Sequence, residues 1–129
     1  MKKALFIHGF GGSKESRTGK VVTRVLAEYD VEVITETFDL LNVGQTLRKI
    51  NKIIIDNDID LLIGTSLGGF YTLAFPSYID KIAINPCMEP SVEIPKLDSN
   101  IPAKTIADFE KYEKNAYGGK YNINSRGVF

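Results

Sequence analysis

Residues Leu61 to Gly69 read LLIGTSLGG, an apolar run that leads into Gly64-Thr65-Ser66-Leu67-Gly68. The pentapeptide is a G-x-S-x-G turn, the device that carries a nucleophilic serine from a buried strand into a helix. Gly64 and Gly68 flank the serine because larger side chains would collide with neighbouring backbone. The chemistry this offers is acyl transfer, with the Ser66 hydroxyl adding to an ester or thioester carbonyl. A serine hydroxyl is a weak nucleophile and needs an adjacent base, normally an imidazole that follows it in the chain. The sequence holds a single histidine, His8, and it precedes the serine. A tight strand-to-helix turn of a nucleotide-binding or flavodoxin-like sheet is the other reading of the same residues.

A second segment, His8-Gly9-Phe10-Gly11-Gly12, follows the first apolar run. In an acyl-transfer site it would supply one oxyanion donor, the Phe10 N–H, with the Leu67 N–H as the second. Gly9 and Gly11 would let the backbone approach a substrate closely. The rival is a phosphate-cradling loop, since glycine-rich turns that open helices bind anions. Two details count against it. G-x-G-x-x-G needs glycine where Lys14 stands, and the Walker pattern needs Ser or Thr after Gly19-Lys20, where Val21 stands. Glu36 could still mimic a ribose-binding acid. His8 is the candidate partner for Ser66, although the end of a strand suits an imidazole that ties a turn through backbone hydrogen bonds. Cys87 reads as a small buried residue near the same sheet edge.

The elements that must position these residues follow from hydrophobic periodicity. Ala4 to His8 is a continuous apolar run, as expected of a strand buried on both faces. Helical spacing over Ser16–Tyr29 places Val21, Val22, Val25 and Leu26 on a stripe. Val31 to Thr35 is a β-branched outer strand, and Leu47, Ile50, Ile53 and Ile54 mark a second helix. Leu61 to Thr65 is the third strand, Leu67 to Phe75 the elbow helix before Pro76, and Ile79 to Asn85 the fourth strand. Alternation of this kind predicts a three-layer α/β fold, a parallel sheet of about four strands in the order 2-1-3-4. His8 and Ser66 then emerge side by side at the carboxyl ends of neighbouring strands, where open α/β sheets bind ligands. Pro90, Pro95 and Pro102 predict an irregular stretch. Ala103 to Lys114 predicts an amphipathic helix, and the remaining tail shows little periodicity.

Composition narrows the function classes. A chain of 129 residues is one domain, and 16 basic against 16 acidic residues give no electrostatic reason to expect nucleic acid or a membrane surface. No apolar run reaches the ~20 residues of a membrane span. The first apolar run is also shorter than the ~7 residues a secretory signal needs. One cysteine excludes an internal disulfide and fits a cytoplasmic protein. One histidine and no clustered ligands predict neither a metal nor another cofactor.

Phe6-Ile7-His8-Gly9-Phe10, Gly64 to Tyr71 and Asn85-Pro86 together resemble the small bacterial α/β-hydrolases of the YqiA type, described as esterases. The likeness extends into the tail at Asn115, Tyr117, Gly119, Tyr121, Ser125 and Arg126. It implies Ser66 as nucleophile, Phe10 and Leu67 as oxyanion donors, and a small ester or acyl ligand. Members of that family continue through further strand–helix units that supply an acid and then a histidine. Neither Asp98 nor Asp108 matches that acid, and the resemblance implies a shortened relative. A low-efficiency esterase or thioesterase and a non-catalytic binding protein both fit. With those units missing, the fourth strand is expected to be a bare edge, covered by residues 103–129 or by a homodimer.

Overall fold

Alternation along the first strand sets the layers of the molecule. The computed structural model describes residues 1–118 and 125–128. In β1 (Lys2–Ile7), Ala4 and Phe6 join Ile63 under α1 (Arg17–Ala27), with Val22 and Leu26 packed on them. Leu5 and Ile7 face the opposite way, into the larger core with Ile50, Leu62, Phe70 and Phe109. Successive strand residues point to opposite faces, so one apolar run serves two cores.

The remaining elements are β2 (Val31–Thr35), α2 (Val43–Asn57), β3 (Leu61–Thr65), α3 (Leu67–Ala74), β4 (Asp80–Ile84), α4 (Pro90–Leu97), α5 (Ala103–Gly118) and β5 (Ser125–Val128). Their sheet is parallel in the order β2-β1-β3-β4-β5. The expected order 2-1-3-4 is therefore present, with one strand added. β5 pairs with β4 from Lys81 to Ile84, so of the two covers expected for that edge, tail or homodimer, the chain's own tail is the one present. Gly119 and Tyr121 of the tail lie outside the described residues.

Local chemistry explains most boundaries. The Ser16 hydroxyl accepts from Gly19 N–H at the start of α1, and Asn42 Oδ1 accepts from Gln45 N–H at the start of α2. Each satisfies an amide that the helix leaves without a partner. The irregular stretch expected at residues 90–102 is corrected to helix α4 over its first eight residues. Pro90 sits in the first turn, where a missing N–H costs nothing. The carboxylate of Glu113 on α5 accepts from the Ser91 N–H and hydroxyl at 2.8 and 3.0 Å, which ties the two helices. Phe109 is fully buried with its ring edge-on to Phe70 at 5.9 Å, docking α5 on the elbow helix. Burial of such a ring contributes about 2–3 kcal/mol.

Candidate functional site

At the carboxyl end of β3 the chain turns through a single residue. Ser66 has φ 56° and ψ −121°, a left-handed conformation that a side chain seldom adopts. The residues around it explain why no relaxed turn fits. A Cβ at Gly68 would lie 2.0 Å from the Ile7 carbonyl oxygen, and one at Gly64 would lie 2.1 Å from the Gly68 oxygen. The first turn of α3 is thus pressed onto β1 and β3, and only glycine permits that approach. Ser66 itself is exposed while Gly64, Leu67, Gly68 and Gly69 are buried. Its backbone is held by the Ile84 carbonyl on one side and by the Cys87 N–H, at 2.8 Å, on the other. The Asn85-Pro86 pair closes the far side, where a Cβ on Gly69 would touch Pro86 at 2.9 Å. Among the described residues, no side chain hydrogen-bonds the Ser66 hydroxyl.

The loop after β1 meets this elbow. A Cβ on Gly9 would stand 3.3 Å from Ser66 Cβ and 3.7 Å from its Oγ. Gly9 to Gly12 form a turn closed by Gly12 N–H to the Gly9 carbonyl at 3.0 Å, with Gly11 at φ 76°. That is the positive-φ position of a type II turn, where glycine avoids strain. Phe10 packs half-buried against the core, one residue beyond the Gly9 that adjoins Ser66. Leu67 is the first residue of α3, so its N–H has no partner within the helix. The structure therefore brings Gly9, Phe10, Ser66 and Leu67 to one sheet edge.

His8 faces elsewhere. Its ring is buried, Nε2 accepts from Phe38 N–H at 2.9 Å, and Nδ1 lies 2.8 Å from the Gly9 carbonyl oxygen. A ring that accepts at Nε2 carries its proton on Nδ1 and donates it to Gly9. Both nitrogens are engaged by backbone, and neither has a lone pair or a proton to give Ser66. As the candidate partner of Ser66, His8 is thus replaced by the loop-tying role that its place at the strand end suggested.

The partner of His8 opens a feature the sequence did not reveal. Residues 36–42 join β2 to α2 as a loop that buries Phe38 and Leu40, and several of its carbonyls are satisfied by side chains from other elements. Tyr71 on α3 donates to Leu40 O. Thr46 on α2 donates to Asp39 O and Thr105 on α5 to Leu41 O, both at 2.8 Å. Burial, reinforced by the charges of Asp39 and Asp108, pushes the Tyr71 phenol above its ordinary range and keeps it a donor. The only sequence signal was the absence of periodicity across Phe38 to Leu41, a non-helical, non-strand segment with three apolar residues whose backbone demands donors from elsewhere.

Two other titratable groups are perturbed. Lys81 is fully buried at the start of β4, with its ammonium against the Leu73 and Phe75 carbonyls at the end of α3. Desolvation lowers its pKa to about 8. Burial, with the Glu93 and Glu113 charges adding to it, raises the Cys87 thiol to about 11, so the sulfur is a neutral wall and not a nucleophile. Among the described residues, no group of three metal-ligating side chains converges and no helix is long and apolar enough to cross a membrane.

The model of the Uncharacterised protein family (UPF0227) matches residues 3–121. The chain belongs to this family. The elbow, the glycine loop and, apart from Lys2, the strands that carry them fall within the matched span of the UPF0227 chain. Among solved structures, one titled "Crystal structure analysis of 1,3-propanediol oxidoreductase" is similar, with a TM-score of 0.46 and 16% identity. The likeness covers 64% of this chain and 28% of that one, a level that bears on no activity.

Proposed function

We propose that this chain is a serine-hydrolase-type acyl site, taking small carboxylic esters or thioesters, with Ser66 as nucleophile. The observation that carries the reading is Ser66 itself, a non-glycine residue held exposed at positive φ between buried glycines. Strain of this kind persists only where the surroundings impose it, and it clusters at functional sites. In the proposed reaction Ser66 Oγ bonds to the carbonyl carbon as the carbonyl π pair moves to oxygen. The Phe10 and Leu67 N–H groups receive that oxyanion. The C–O or C–S bond to the leaving group then breaks, leaving acyl-Ser66, which water hydrolyses. The Oγ proton passes to solvent, because both His8 nitrogens are engaged.

Acylation without an imidazole is slow. Hydrolases stripped of their triad retain ~10³–10⁴-fold acceleration over water from the oxyanion hole and binding alone. The engaged state of His8 also favours a second reading, a catalytically degenerate fold that binds a carbonyl ligand at the same amides. A fluorophosphonate probe followed by intact mass separates the two. The hydrolase reading expects a slow adduct on Ser66 that Ser66→Ala abolishes. Complete absence of an adduct after prolonged incubation leaves the binding reading standing.

A further inference from the structure

Three cavities are neighbours, sharing walls in sequence. The first, about 230 Å³, starts at Phe10 and runs beneath Phe38 and Leu40. It shares Asp39 and Leu41 with the second, about 380 Å³, which lies between the β2–α2 loop and the start of α5. The second shares Asn42, Lys104 and Asp108 with the third, about 290 Å³. Shared walls line them up as a groove from the glycine loop to α5, and the Tyr71, Thr46 and Thr105 hydrogen bonds fix the loop that lines its inner part.

Charge along that groove is uneven. Its far end is lined by Arg48, Lys104 and Lys111. Lys104 pairs with Asp108 at 3.0 Å, whereas Arg48 and Lys111 form no ion pair among the described residues. Three cations and one carboxylate leave a surplus of two positive charges. The Arg48 guanidinium folds back toward the start of α2, with Nη1 3.2 Å from where a Cβ on Gly44 would stand. Lys111 Nζ is held 5.4 Å above the Tyr112 ring, within cation–π reach. The first turn of α2, where backbone N–H groups favour an anion, opens on the same space at Gly44. Toward Phe10 the sign reverses, because Asp39 lines both inner cavities.

We propose that the far end of the groove, at Arg48, Lys104 and Lys111, is a subsite for the phosphate of a small phosphomonoester whose uncharged end lies toward Phe10. A dianion matches the surplus of two charges, and Arg48 offers the planar fork that binds phosphate through two hydrogen bonds. Asp39 repels an anion from the inner cavities and so sets the direction of the ligand. The subsite stands on the cation geometry alone. Only the carbonyl's approach to Phe10 rests on the hydrolase reading.

The test is a titration of the ¹⁵N-labelled chain with butyl phosphate and with butanol, each with and without added salt. Saturable shifts at Gly44 and along Asp39–Val43 are expected for butyl phosphate and absent for butanol. Added salt should weaken the binding. The double variant Arg48→Glu, Lys111→Glu should weaken it about tenfold or more, since both side chains are exposed and each cation–anion contact is modest. If that variant melts early, Arg48→Gln alone serves, with a loss of about threefold expected. Unchanged affinity in a folded variant overturns the subsite, as do non-saturating shifts spread over unrelated surface lysines. Loss of Ser66 labelling without loss of this binding would sink the hydrolase reading and leave the subsite, so the two fail separately.

Discussion

Replacing His8 separates a structural imidazole from a catalytic one. The ring is buried and makes two hydrogen bonds, from Phe38 N–H at 2.9 Å and to Gly9 O at 2.8 Å. Alanine at this position leaves a buried donor and a buried acceptor without partners, each costing about 1–3 kcal/mol. The emptied ring volume adds to that, so a total of about 3–5 kcal/mol is expected. This is a large share of the ~5–15 kcal/mol that holds a domain of this size together. At roughly 3–5 °C per kcal/mol, the melting temperature should fall by about 10–20 °C. Glutamine reaches the same two backbone groups with its amide, accepting through Oε1 and donating through Nε2, and should recover more than half of the loss.

The informative readout is the pair of measurements together. Thermal melting gives the stability of wild type, His8→Ala and His8→Gln, and fluorophosphonate labelling at a temperature where all are folded gives the reactivity of Ser66. A loop-tying His8 predicts that His8→Gln labels within about threefold of wild type, because the glycine loop keeps its anchor. A general base predicts a loss of about 10²-fold or more at unchanged melting temperature. That second pattern would refute the assignment made from the two backbone hydrogen bonds.

Three further outcomes follow from the same geometry. Ser66→Gly should raise stability by about 1 kcal/mol in chemical denaturation, since it relieves a strained φ, while abolishing probe labelling. Gly68→Ala should cost more than about 4 kcal/mol and yield little soluble protein, because its Cβ would meet backbone oxygen at 2.0 Å. Gly11→Ala, with open space around it, should cost only about 1 kcal/mol, and equal effects at the two glycines would contradict the packing argument. Lys81 predicts a pH dependence of definite sign. Its pKa is lowered from 10.5 to about 8 on folding, so between those values the unfolded chain holds the proton and the folded chain does not. Stability should therefore rise with pH across that window, relative to Lys81→Met, by at most about 3 kcal/mol at roughly 1.4 kcal/mol per pH unit. The Leu73 and Phe75 carbonyls favour the charged form and reduce that ceiling. Denaturation curves at pH 7.5 and 9.5 that move in parallel for both proteins would remove Lys81 from the account.

Strand order and the elbow were readable because each rests on a local rule. Apolar runs alternating with 3.6-residue stripes leave little freedom to a parallel sheet, and right-handed crossovers supply the order. Gly64, Ser66 and Gly68 encode close approach directly in their side-chain sizes. Other features depend on partners far away in the sequence. Helix α4 was hidden because Pro90 and Pro95 read as breakers, although Pro90 falls in a first turn where it does no harm and Glu113 secures that turn from α5. Ser125 to Val128 is too short to show alternation and is strand only by pairing with β4. His8 was visible as a residue that could tie a turn, but its second partner, Phe38 N–H, lies thirty positions away.

The geometry also weighs the rival readings of the glycine loop. A phosphate cradle presents several free N–H groups at the first turn of the helix it opens. Here Gly12 N–H is spent on Gly9 O, and helix α1 begins only at Arg17, after the Ser16 hydroxyl has capped it. Lys14 N–H is likewise taken, by the Thr37 hydroxyl at 2.9 Å. Amides that an anion would need are thus already bonded. A strand-to-helix turn with no chemical role also has no reason to hold a serine at φ 56°, since glycine there would cost nothing. Strain of about 1–3 kcal/mol retained at one exposed serine, at the start of a helix whose first amides have no partner within it, fits the proposed oxyanion chemistry. Among the described residues no side chain offers Ser66 a proton acceptor, so the proposed acyl transfer would run at a rate set by that deficit.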